Sequence, residues 1–89
     1  MSKTRAYSQD TRAIIQRYFV AMDECKKLHR IKSARAFCLE NGITPSSFYF
    51  QKANTDRGYF EVGWIVPLIR DCGISSTWLL FGVGSMFNY

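Results

Sequence analysis

Between residues 32 and 57 the chain concentrates side chains suited to holding a polyanion. Lys32, Arg35, Lys52 and Arg57 carry positive charge, and Thr44, Ser46, Ser47, Tyr49 and Gln51 offer uncharged hydrogen-bonding groups. Cations meet phosphate oxygens and set affinity and register, whereas hydroxyl and amide groups can reach base edges. Hydroxyls pair with several bases, so Ser46, Ser47 and Tyr49 discriminate less than an Arg–guanine fork would. Gln51 would suit adenine if it faced outward. Other chemistry finds less support. Cys25 and His29 stand four apart, with Cys38 and Cys72 as more distant thiols, but the closely paired ligands of a zinc site are missing. No carboxylate spacing suggests acid–base work. No enzyme activity, metal or cofactor is therefore expected.

The composition fits this reading. The chain has 89 residues, with 12 Lys+Arg against 7 Asp+Glu and a formal net charge of +5. That excess favours an anionic partner, although it also serves solubility. Hydrophobic residues make up 47% and aromatics 16%, enough for one compact core and against disorder. Three cysteines at wide spacing read as reduced thiols rather than a disulfide framework. The start of the chain has no apolar stretch after its basic residues, and the longest apolar runs are too short to span a bilayer. A cytoplasmic, nucleoid-associated protein with no membrane partner is expected.

The apolar periodicity predicts an all-α bundle of about five helices. Ser8 or Asp10 can cap a first helix, on which Ile14, Ile15, Tyr18, Phe19, Met22, Cys25 and Leu28 share one face. Lys26, Lys27, His29 and Arg30 follow at its end, as a solvated basic face or a phosphate track. Ser33 caps a second helix, Ala34 to about Glu40, and Asn41-Gly42 stops it. Thr44-Pro45 opens a third, running to about Ala53. A fourth covers roughly Val62 to Asp71, with Pro67 marking a kink or a start. A fifth follows Ser75 or Ser76 and ends at Gly82. Trp64, Trp78, Leu79 and Leu80 read as core. The expected division is a flexible basic arm at 1–8, a helix-turn-helix domain at 9–84 and an apolar tail at 85–89. The tail's Met86, Phe87 and Tyr89 need cover, from a two-fold homodimer or from their own domain.

The stretch from Ser33 to Lys52 has the form of a helix-turn-helix: a short helix, a Gly-containing turn and a second helix. Cys38 is small enough for a close crossing, and Phe37, Ile43 and Phe48 supply apolar anchors. This run, with Gly73-Ile-Ser-Ser-Thr-Trp-Leu-Leu-Phe-Gly82, resembles the Cro and lambda-repressor (Xre-type) regulators. The family often has Gln where Ala34 and Pro45 stand, and an apolar residue where Gln51 stands. The resemblance implies a bacterial or phage transcriptional regulator that binds double-stranded DNA with its third helix in the major groove. It also leaves room for Lys3 and Arg5 of the arm in the minor groove. The alternative is a protein-interaction module on the same scaffold, using Tyr49 and Phe50 as exposed aromatics.

Overall fold

A computed structural model describes residues 6–88. Five α-helices follow in order: α1 (Gln9–Lys27), α2 (Ala34–Glu40), α3 (Pro45–Ala53), α4 (Ile65–Cys72) and α5 (Ser76–Phe81), with a 3-10 turn at Val62–Trp64 leading into α4. The all-α bundle expected from the periodicity is what forms. Among the described residues the only extended pairing is an isolated antiparallel bridge between Ile74 and Phe87.

Helix starts are set by side chains that serve free backbone N–H groups. Ser8 accepts from the Thr11 amide, Ser33 from Ala36 and Ser75 from Trp78. α3 opens differently, with Pro45 at its first position and no capping bond from the Thr44 hydroxyl. Pro67 sits in the first turn of α4, where an N–H would have no intrahelical partner, so it marks a beginning and not a kink. The residues before it, Val62–Trp64, wind as the tighter 3-10 turn.

Two helix ends share one device. At the end of α2, Gly42 takes φ 67° and the Ile43 amide reaches back to the Cys38 carbonyl at 2.8 Å. This closing turn drops Ile43 into the core and aims the chain toward α3. At the end of α1, His29 takes φ 59°, its amide bonding to the Lys26 carbonyl and that of Arg30 to the Cys25 carbonyl. The left-handed residue here carries a side chain, which costs about 1 kcal/mol relative to glycine. The first helix consequently ends at Lys27, short of Arg30, and Leu28 is exposed rather than on the buried face.

The core lies where α1 meets the other helices. Ile15, Tyr18, Phe19, Met22 and Cys25 of α1 pack with Phe37, Cys38, Phe48, Trp64, Leu68 and Leu79. Tyr18 is fully buried and donates its hydroxyl to the Trp64 carbonyl at 3.2 Å, so its polar end is satisfied inside the core. Phe19 meets both Tyr18 and Phe48 edge-on at 5.1 Å. All three cysteines are free and buried; burial pushes the Cys25 thiol up to about 12, so it stays protonated at neutral pH. Leu80, expected in the core, lies on the outer side of α5 and is exposed.

The tail is covered from within. The Ser75 amide donates to the Met86 carbonyl and the Asn88 amide to the Gly73 carbonyl, which seats Phe87 in the core. The Arg30 guanidinium lies 4.4 Å over the Phe87 ring and donates to the Cys72 carbonyl at 2.8 Å. Arg30 is thus a clamp on the ends of α4 and the tail, and the folded domain runs on through Asn88. Phe87 gives no reason for pairing two copies; Tyr89 lies outside the described residues.

His29→Gly should raise stability by about 1 kcal/mol, because it removes the left-handed strain at the end of α1. Urea unfolding followed by circular dichroism would measure this as a higher midpoint at unchanged slope.

Candidate nucleic-acid interface

α3 is anchored by one aromatic and one amide. Phe48 and Gln51 point inward and are fully buried, while Ser46, Tyr49, Phe50 and Ala53 share the outward face. Phe48 meets Tyr18, Phe19 and Trp64 at ring distances of 5.1–6.4 Å, which fixes the rotation of the helix about its axis. Thr44 and Ser46 stand exposed at the opening of α3, and Ser47 is half-buried beside them.

Gln51 does not face outward, and its assignment as an adenine contact is corrected. Its Nε2 donates to the Asn54 carbonyl at 2.6 Å and the Arg57 carbonyl at 3.1 Å. Its Oε1 accepts from the Tyr59 amide at 2.9 Å and the Tyr7 hydroxyl at 3.3 Å. Both donors and both acceptor positions of the amide are occupied. The side chain is therefore a staple for the loop after α3.

The staple explains the neighbouring residues. Gly58 has φ 143°, and a Cβ there would lie 2.4 Å from the Gln51 Oε1, so no larger residue fits. Tyr7 is half-buried, its amide donating to the Asp56 carbonyl and its hydroxyl accepting from the Phe60 amide at 3.0 Å. Tyr7 and Ser8 thus belong to the fold and not to a flexible arm. Lys3 and Arg5, expected in the minor groove, lie outside the described residues.

The loop presents a second aromatic beside α3. Tyr59 is 63% exposed and Phe50 42%, with ring centroids 5.8 Å apart. Phe50 was expected as an exposed aromatic only in the protein-interaction alternative, and Tyr59 at no interface. A hydrogen-bonding side chain at an inward-facing position of α3, followed by a glycine seven residues on, was the available signal for this loop.

The four cations expected at the interface fall into three groups. Lys52 and Arg57 are exposed but paired, Lys52 to Asp23 and Arg57 to Asp56, each at 3.5 Å. Such solvent-facing pairs contribute little and exchange readily for a phosphate. Arg35 is exposed in the first turn of α2 and makes no ion pair among the described residues. Lys32 lines an open groove between α2 and the end of α4, shared with Glu40 and Asp71 and with no described residue of α3. Arg17, which the sequence did not mark, donates to the Leu79 and Leu80 carbonyls at 2.7 and 2.9 Å and closes the end of α5.

No group of three or more His, Cys, Asp or Glu among the described residues is arranged to hold a metal. No described helix is long and apolar enough to cross a membrane.

Gln51→Leu should destabilise the fold by about 3 kcal/mol, because it removes at once the partner of the Asn54 and Arg57 carbonyls and of the Tyr59 amide. Amide hydrogen exchange would show the effect locally: the Tyr59 amide should lose protection well before the amides of α1. Comparison with known proteins finds no family model, no curated protein and no solved structure that matches the chain.

Proposed function

We propose that the chain is a DNA-binding module of a transcriptional regulator, with α3 lying in the major groove of duplex DNA. The observation that carries this is the orientation of α3. A short α2, a turn closed by Gly42 and a second helix anchored by Phe48 leave Thr44, Ser46, Tyr49 and Phe50 directed at solvent on one face. An α-helix fits the major groove in this manner, and the residues near its start reach base edges. Ser46 and Tyr49 are the polar contacts in this reading. Arg35, and Lys52 and Arg57 on release from their carboxylate partners, meet phosphates. The net charge of +5 supplies long-range attraction to a polyanion. Such a module works at the nucleoid, in the cytoplasm.

A second reading has one observation in its favour. Phe50 and Tyr59 form a small exposed aromatic patch, the kind of surface that also docks a protein partner.

Titration of labelled random-sequence duplex at several salt concentrations separates the two. DNA binding should weaken steeply with salt. Arg35→Ala and Lys52→Ala should each weaken it and flatten the slope of log K against log salt by about one. Lys32→Ala should change the slope less. Affinity insensitive to salt, or unaltered in the Arg35 and Lys52 variants, would reject the proposal.

A further inference from the structure

The aromatic pair beside α3 has a chemistry of its own. Phe50 lies on the outward face of the helix, and Tyr59 is brought next to it by the loop that Gln51 staples. The loop is held at both ends of the Gln51 amide, and Gly58 lets the backbone pass against it. The two rings thus sit in a fixed place, although both are substantially exposed. α3 carries no arginine or asparagine on its outward face to fork onto guanine or adenine.

An apolar ring in the major groove of an intact duplex has a single apolar target. Base faces are covered by their neighbours, and the base edges are donors and acceptors, except for the C5-methyl group of thymine. We infer that Phe50 and Tyr59 are specificity-determining residues that read thymine methyl groups in the DNA bound by α3. This rests on the DNA-binding reading above. The ring centroids are 5.8 Å apart. Successive bases along one strand rise by about 3.4 Å, so the pair spans thymines within two steps of each other. Gln51 is a positioning residue in this scheme, since it touches the loop and not the DNA.

The experiment uses the full chain and duplexes selected by it from a library randomised over a short central stretch. Selected duplexes should be enriched in thymines at neighbouring positions. Each such thymine is then replaced by deoxyuridine, which removes the methyl group and nothing else. Fluorescence anisotropy should show the wild type binding the deoxyuridine duplex about fourfold more weakly per methyl removed, the loss corresponding to burial of about 0.8 kcal/mol per carbon. Phe50→Ala and Tyr59→Ala should bind thymine and deoxyuridine duplexes alike while keeping the wild-type salt slope. Equal wild-type affinity for the two duplexes, with salt-dependent binding intact, overturns this inference and leaves the DNA reading standing. Failure of the wild type to bind any duplex overturns both. The deoxyuridine comparison uses the wild type alone, so it decides the matter even if a variant folds poorly.

Discussion

A buried primary amide is tolerable only when each of its hydrogen-bonding positions is filled, and much of this domain's functional face is organised by that requirement at Gln51. Two N–H donors and two lone pairs must find partners inside the protein, because water is excluded there. The partners come from three separate stretches: the turn at Asn54 and Arg57, the extended segment at Tyr59, and Tyr7 ahead of α1. One side chain therefore ties the end of α3, the loop after it and the start of the chain into a single unit. A hydrophobic residue in the same place would bury comparable volume but could not dictate the path of the loop.

The second organising constraint is the crossing of α2 and α3. Gly42 supplies the left-handed turn, and the bond from the Ile43 amide to the Cys38 carbonyl closes it. With Ile43 and Phe48 both committed to the core, α3 has no freedom to roll, and its outward face is determined by subtraction. The same economy governs the other end of the molecule. Arg17 and Arg30 spend their charge on the carbonyl ends of α5 and α4, and Arg30 also covers Phe87. Two of the chain's cations are in this way structural, so net charge overstates what is free to meet phosphate.

These two constraints divide the face of α3 into parts with different physics. Ser46 and Tyr49 offer hydrogen bonds near the helix start, Lys52 offers charge on a flank, and Phe50 with Tyr59 offers apolar surface. Charge acts at long range and is screened by salt, whereas hydrogen bonds and methyl contacts act only on close fit. In the proposed DNA complex such a surface would separate affinity from selectivity, the first residing in Arg35 and Lys52 and the second in the side chains on the outward face of α3.

The sequence alone determined everything that depends on local chemistry. Serine caps at positions 8, 33 and 75, proline at the first turn of α3, left-handed glycines at 42, 73 and 82, and the apolar stripe of α1 all act within a few residues of themselves, so the number of helices and most of their ends were legible, whereas the end of α1 at Lys27 and the 3-10 turn at Val62–Trp64 were not. Periodicity left open whether Tyr49 packs inward or faces out, and the structure exposes it. Only the tertiary structure decided the fates of Gln51, Tyr7, Arg17, Arg30 and Phe87. Tyr7, Arg17 and Arg30 are set by partners 42 to 63 residues away and Gln51 partly so, while Phe87 is seated by the pairing of the tail with residues 73–75 and by Arg30, and no local pattern encodes such contacts. The placement of Tyr59 beside Phe50 belongs with them, because a loop's course is set by the buried groups it must satisfy and not by its own residue types.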